Sequence, residues 1–354
     1  MRRKLGFWGL LILATILGVV LCGEMVVRIA RPSGVVPDRH YEPGIYAPDA
    51  ELGWALIPGY RGEWVDYEDR MPTSINRLAY RGPEETPQRL SAALRVVVVG
   101  DSVGFGRGVR DGEAYPDLLE AQLARRGLDV AVFNLSVPGY NTYHERVALE
   151  RQIDRLDPHV VVLGWYRNDL MANEPVEDHG LKIIDGQMVA DEEAYRSFQL
   201  RMTADGIVER SMLLNFLRVR WKLWRKGVRL VWRRRHAAEN PIDAAAYAGT
   251  LAELQRIHAL SQRRGAAFVL VIHPALDDLG GAEPRSDVIL RAAMERTALE
   301  TAPEVVSVAG DWNGPDAAPK DFYQAGDRCH PNPRGHASIA RLLEELPVFA
   351  AARR

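Results

Sequence analysis

A serine, an imidazole and a carboxylate stand at two ends of this chain in settings that suit nucleophilic catalysis. Ser102 lies in "VVVVGDSVGFGRGV", residues 96–109, where a run of valines enters Gly100, Asp101 and a glycine-rich turn. A serine hydroxyl is a poor nucleophile until a base takes its proton, and the base has to be oriented by a third group. "GDRCHPNPRGH", residues 326–336, offers both, since Asp327 and His330 stand three residues apart. At that spacing the carboxylate accepts a hydrogen bond from one imidazole nitrogen while the other nitrogen faces Ser102. Taken alone, a D-x-x-H spacing fits a capping pair better. Cys329, beside His330, reads as a small packing residue and not as a rival nucleophile.

Acyl transfer also needs donors aimed at the developing oxyanion. The backbone N–H of Ser102, at the start of a helix, is one candidate. Gly139 in "NLSVPGYNT" offers an N–H that no side chain shields, and Asn168 in "GWYRNDL" offers a side-chain amide. Singly, these read as a turn glycine and a strand-end cap; their order, each after an apolar run, points to one site. The competing reading is a phosphate cradle built on the glycines of "GFGRG", Gly104 to Gly108. That spacing is not G-x-G-x-x-G, and no lysine follows it.

The elements that must position these groups are legible as short β-branched runs. "LRVVVVG", "DVAVFNL", "HVVVLGW" and "AAFVLVIHP" are four, and "EVVSVAG" from Glu304 is a weaker fifth. Continuous runs of this kind suit strands buried on both faces. Helical patterns alternate with them at about 114–126, 142–156, 243–264, 285–300 and 333–346. The expectation is an α/β fold, a parallel sheet covered by helices on both sides, with function at the carboxyl edge of the strands. Asn332 as N-cap and Pro333 at the first helical position place His330 just before the last helix.

In these blocks the chain resembles the SGNH hydrolases, the GDSL-type esterases and acyltransferases. Gly100-Asp101-Ser102, Gly139, Asn168 and the Asp327 to His330 pair match the family's blocks in order, over roughly Leu94 to Leu346. The resemblance implies a flavodoxin-like three-layer α/β/α sandwich, Ser102 as nucleophile with Asp327 and His330, an oxyanion hole of Ser102, Gly139 and Asn168, and no cofactor. Val103 replaces the leucine of G-D-S-L, and Tyr166 stands where the third block usually has glycine, which bears on loop shape. "INRLAYRGPE", Ile75 to Glu84, looks like a preface segment of larger bacterial members and has no assigned role.

Composition bounds the rest. The 354 residues are 47% hydrophobic with a net charge of −2, enough for one large α/β core and no general attraction to nucleic acid. Two cysteines, Cys22 and Cys329, imply no disulfide framework. "MRRK" precedes an uncharged run from Leu5 to Gly23, long enough to cross a hydrocarbon core of roughly 30 Å, with the basic leader on the cytoplasmic side. No small-x-small cleavage site follows promptly. The expected organisation is an anchor helix over 1–31, a linker with short strands over 32–90 and a catalytic domain over 91–354, outside the cytoplasm.

Within that domain an inserted basic helix is expected over about 211–236. Ser211 to His236 contains no acid and carries Leu213, Leu217, Trp221, Trp224, Val228 and Val231 at helical spacing, flanked by an arginine-rich stripe. It either packs its apolar stripe on the core or lies in a membrane interface. The leading functional expectation is a membrane-anchored serine esterase or O-acyltransferase acting on an acyl ester of an envelope carbohydrate or lipid. A silent binding protein for acylated polysaccharide and a nucleotide-binding protein are the alternatives; no nucleic-acid partner is expected.

Overall fold

The computed structural model describes residues 2–30, 44–66, 69–170, 182–197, 199–200, 211–214, 216–217, 220–221, 224, 244–276, 279, 304–313, 318–324 and 327–351. The helical pattern at 285–300 and all of the basic stretch beyond 224 lie outside the described residues. The chain divides into two compact units. One comprises Met1–His40, Asp66–Asp69 and Val189–Pro241, the other Tyr41–Val65, Arg70–Met188 and Ile242–Arg354.

The larger unit is built on five parallel strands: β5 (Leu94–Gly100), β6 (Val130–Asn134), β7 (Val160–Trp165), β10 (Ala267–Ile272) and β11 (Glu304–Ser307). Their spatial order is β11-β10-β7-β5-β6. Counted along the chain this is the doubly wound order 2-1-3-4-5, which reverses direction between β5 and β7, where ligand crevices form in such sheets. Two short strands, β8 (Lys182–Ile184) and β9 (Gln187–Val189), pair in a separate sheet, and α2 (Pro87–Leu90) and α7 (Ala309–Trp312) are single-turn helices. The β-branched runs are continuous because both faces are covered. Val96 and Val98 point into one apolar cluster with helices α4 (Tyr115–Arg125) and α8 (Pro333–Glu344). Val97 and Val99 point into another with α5 (Thr142–Leu156) and α6 (Ala244–Arg263). The three layers follow from the period-2 alternation of strand side chains between two helix-covered faces.

The segment read from sequence as linker and short strands has a definite structure over its described part. β1 (Tyr46–Asp49) pairs antiparallel with β2 (Gly53–Leu56), and β3 (Arg61–Asp66) with β4 (Asp69–Ser74). Ile45, Tyr46, Leu52, Trp54, Leu56, Met71 and Ile75 are buried in the same apolar cluster as Val97, Val99 and α5. Trp54 donates its indole N–H to the Pro138 carbonyl at 3.2 Å and accepts, on its own carbonyl, the Tyr140 hydroxyl at 3.0 Å. The accessory strands therefore back the loop that follows β6.

In the smaller unit, α1 (Arg2–Ala30) contains one stretch long and apolar enough to cross a membrane, Leu10–Ala30, with a mean hydropathy of 2.6. Glu24 on this helix caps the helical residues 212–214, accepting from the Ser211 hydroxyl and the N–H groups of Met212 and Leu213 at 2.7 to 2.9 Å. Leu213 is half-buried beside Gly23 of α1, whereas Leu217, Trp221 and Trp224, farther along the apolar stripe, are more than half exposed.

The packing of α4 on the sheet makes one quantitative expectation. Leu119 has no solvent exposure, and Leu119→Ala should lower unfolding stability by about 2–5 kcal/mol in a denaturant titration; a loss below about 1 kcal/mol would contradict this packing.

Candidate active site

β5 ends at Gly100, and the chain turns at once into the single-turn helix α3 (Ser102–Phe105). The turn is made by Asp101, whose carboxylate accepts the Val103 N–H at 2.8 Å as the N-cap. Gly104 is required for close approach: a Cβ there would lie 2.3 Å from Ser136 Oγ and 2.9 Å from Ser136 Cβ. Ser102 is thereby presented, half-buried, at the carboxyl edge of the central strand.

The loop before α8 delivers the base. His330 Nε2 lies 3.0 Å from Ser102 Oγ, and His330 Nδ1 lies 2.8 Å from Asp327 Oδ2. The other oxygen of Asp327 accepts the backbone N–H groups of Arg328 and Cys329 and, at 3.4 Å, that of His330. One carboxylate thus shapes the turn and faces the imidazole. Asn332 accepts the Gly335 N–H at 3.0 Å, and its amide donates to the carbonyls of Asp321 and Tyr323 at 2.9 and 3.0 Å. That cap holds the His330 loop against the start of α8.

Asn168 sits in the 3-10 turn Arg167–Leu170 after β7. Its Nδ2 donates to Asp101 Oδ2 at 3.0 Å, so the residue preceding Ser102 holds the amide on the nucleophile's side of the sheet. A second amide hydrogen on the same nitrogen is left to donate elsewhere. Tyr166, in the position where a glycine was expected, is buried and keeps a negative φ, and Asp169 closes the turn by accepting the Tyr166 N–H at 2.9 Å. Gly139 follows β6 with φ +84, a conformation that disfavours any side chain, and a Cβ there would press on the Trp54 ring at 3.3 Å. Its loop is tied to β5 by the Val137 N–H, which donates to the Gly100 carbonyl at 3.1 Å. The structure therefore joins Ser102, His330 and Asp327 by direct contacts, links Asn168 to them through Asp101, and sets Gly139 in the loop bonded to the end of β5.

Beneath this edge lies a group of buried polar side chains. Burial raises the Asp101 carboxyl above its ordinary range, opposed by the Val103 N–H, the charge of His330 and the Asn168 amide. Glu145 and Asp169, also fully buried, are raised well above theirs by burial and by neighbouring carboxylates. His273 and His336 flank Tyr115, with ring centroids 5.6 and 6.1 Å from it, and burial lowers each imidazole to about 3. Burial, with Asp327 next, pushes the Cys329 thiol up, which leaves it protonated and a poor nucleophile. Among the described residues, the donors grouped closely enough for a metal ion are Asp327, Cys329 and His330 themselves. The backbone N–H groups already crowd one oxygen of that carboxylate.

Two contributors escaped the sequence reading. Asp101 was legible only as part of a motif, without its bond to Asn168. Gln324 carried no signal at all, yet its N–H donates to the His330 carbonyl at 2.9 Å and its Nε2 to the Gly108 carbonyl at 2.6 Å.

A family model described as "GDSL-like Lipase/Acylhydrolase family" matches residues 98–338. Solved structures with similarity include TesA, at 16% identity over 73% of this chain and 99% of that one, TM-score 0.44. The LAE5 α/β hydrolase from the metagenome of Lake Arreo, Spain, is similar at 17% identity over 75% of this chain and 99% of that one, TM-score 0.43. The acetyl xylan esterase AlAXEase is similar at 14% identity over 71% and 98%, TM-score 0.43. No curated protein matches significantly.

Two outcomes follow from the geometry. Gly104→Ala should cost about 1–3 kcal/mol of stability by forcing Ser136 aside, and the Ser136→Gly change added to it should recover most of that loss in the same denaturant assay. His273 binds its proton with a pKa of about 3 when folded against an ordinary value of 6.5. Its contribution is therefore complete above pH 6.5 and lost as pH falls toward 3. His273→Gln should make the decline of stability between pH 6 and 4 shallower by about 1.4 kcal/mol per pH unit, and an unchanged slope in urea unfolding would contradict the buried neutral imidazole.

Proposed function

Because the chain belongs to the GDSL-like lipase/acylhydrolase family, we propose that it is a membrane-anchored serine ester hydrolase with Ser102 as nucleophile, His330 as general base and Asp327 as the carboxylate that orients it. The observation that carries this reading is the continuous relay from Ser102 Oγ to His330 Nε2 at 3.0 Å and from Nδ1 to Asp327 Oδ2 at 2.8 Å. A relay of that geometry lets the imidazole take the serine proton while its other N–H stays paired with a carboxylate.

In the proposed cycle His330 Nε2 accepts the Ser102 proton as Oγ attacks the ester carbonyl. The oxyanion is met by the backbone N–H of Ser102, that of Gly139 and the free amide hydrogen of Asn168. Asp101 holds that amide in place through the 3.0 Å bond. Collapse of the intermediate expels the alcohol, which takes the proton from His330 and leaves an acyl-serine. Water then repeats the sequence in reverse roles and releases the acid; a sugar hydroxyl in its place completes an acyl transfer.

The substrate class we favour is an acyl ester of an envelope carbohydrate or lipid. The support for it is the apolar helix α1, read as a single-pass anchor with the basic leader in the cytoplasm and the larger unit outside. A silent binding protein has no use for a paired imidazole and hydroxyl, and the relay counts against that alternative.

Labelling with a fluorophosphonate tests the reading directly. Ser102 should be modified in the wild type, while Ser102→Ala abolishes modification and His330→Ala slows it by at least about 10²-fold. An inert Ser102 in well-folded wild-type protein would sink the enzymatic reading. Ester panels of increasing acyl length, run with and without sugar acceptors, then partition hydrolysis from transfer.

A further inference from the structure

The stretch "INRLAYRGPE" occupies a place that the catalytic cycle does not use. Arg81 within it is 2% exposed and directs its guanidinium into the loop that follows α3. Nη1 donates to the carbonyls of Phe105 and Gly106 at 3.0 and 2.6 Å, Nη2 to that of Val109 at 2.8 Å, and Nε to Asp111 Oδ1 at 3.0 Å. The guanidinium carbon also lies 5.0 Å from the centroid of the Phe105 ring. Asp111 is held from the same accessory segment, its second oxygen accepting the N–H and hydroxyl of Ser74 at 3.0 and 2.5 Å.

Burying a guanidinium costs free energy unless its N–H groups find acceptors. Here two of the acceptors, the Phe105 and Gly106 carbonyls, lie at the end of a one-turn helix, where carbonyls have no partner inside the helix itself, and the third, that of Val109, lies in the turn that follows. The planar fork of arginine reaches several of them at once, and a lysine ammonium would not. The far side of the same loop is tied to the base. Gln324 Nε2 donates to the Gly108 carbonyl at 2.6 Å and to that of Pro331 at 3.1 Å, and the Gln324 N–H donates to the His330 carbonyl at 2.9 Å.

We propose that Arg81 is a positioning residue: by clamping the carbonyls of Phe105, Gly106 and Val109 it fixes the end of the nucleophile's helix and, through Gly108 and Gln324, the spacing between Ser102 and His330. The catalytic consequence rests on the serine-hydrolase reading of that pair; the clamp itself does not. The preface segment is then a working part of the active site, carried outside the family's own blocks.

Three measurements on the full-length chain in detergent test this, comparing wild type, Arg81→Lys and Gln324→Leu. Amide hydrogen exchange reads the clamp without reference to activity, because the N–H groups of Phe105, Gly106, Arg107 and Val109 are all bonded within this turn. In Arg81→Lys they should exchange at least about tenfold faster, with the β5 and β7 amides unchanged. Hydrolysis of a p-nitrophenyl ester, normalised to sites titrated by fluorophosphonate, reads the positioning. We expect kcat per titrated site to fall about 10- to 100-fold, KM to stay within about threefold, and the pH profile to keep its shape. Thermal melting reports stability alone.

Wild-type kcat per titrated site in Arg81→Lys, with or without a lower melting temperature, would assign Arg81 to stability and overturn the proposal. Gln324→Leu leaves the guanidinium in place and cuts the strut from the other side, so it serves if Arg81→Lys fails to fold. It should lose kcat in the same way, and full kcat there overturns the strut. Should the wild type itself lack turnover, the failure lies with the enzymatic reading. Exchange then decides the clamp: faster exchange supports it and unchanged exchange overturns it.

Discussion

The contact between Ser102 Oγ and His330 Nε2 joins residues 228 positions apart, and the rest of the larger unit is arranged so that it can form. Neither side chain is rigid by itself. Ser102 is held because Asp101 caps α3 and Gly104 lets that helix settle against Ser136. His330 is held because Asp327 and Asn332 bind its loop from both ends. A reacting pair placed about 1 Å off its productive geometry loses orders of magnitude in rate, so the cost of building these supports is concentrated near the switch point of the sheet.

That concentration shows as buried polarity. Asp101, Glu145, Asp169, His273 and His336 are all buried beneath the carboxyl edge, and burial drives each toward its neutral form. Carboxyls raised in the fold stabilise it most at low pH, and imidazoles lowered in the fold stabilise it most above pH 6.5, so the two sets oppose each other as pH falls. The pairing of Asp101 with the Asn168 amide has a clear use, since it aligns two loops that follow different strands. Buried polar networks of this kind specify a single arrangement of loops, because any shift leaves a polar group without a partner.

The accessory strands extend the same logic. They cover one face of the sheet with Ile45, Trp54, Leu56 and Ile75, and they reach the site through Trp54 at the β6 loop and Arg81 at the α3 loop. The smaller unit has a different physical character. Its long apolar helix exposes leucines and valines along its length, and Glu24 on that helix serves as the cap of a second helix rich in exposed tryptophan.

What the residue order determined is what depends on local pattern. Short apolar runs rich in β-branched residues over 94–100, 130–134, 160–165 and 267–272 suit strands covered on both faces, and Asn332-Pro333 followed by an apolar helical pattern suits a helix start. The types of Ser102, Asn168, Asp327 and His330 announced the available chemistry in the same way. Tertiary structure alone decided the distances among them, the bond from Asn168 to Asp101, and the packing of Ile45, Trp54, Leu56, Met71 and Ile75 on the core. It also decided that Arg81 meets three carbonyls more than twenty residues away. These are long-range contacts between polar groups, whose partners have no periodicity to betray them; a buried guanidinium is written in the chain as one more surface arginine until the fold removes its water.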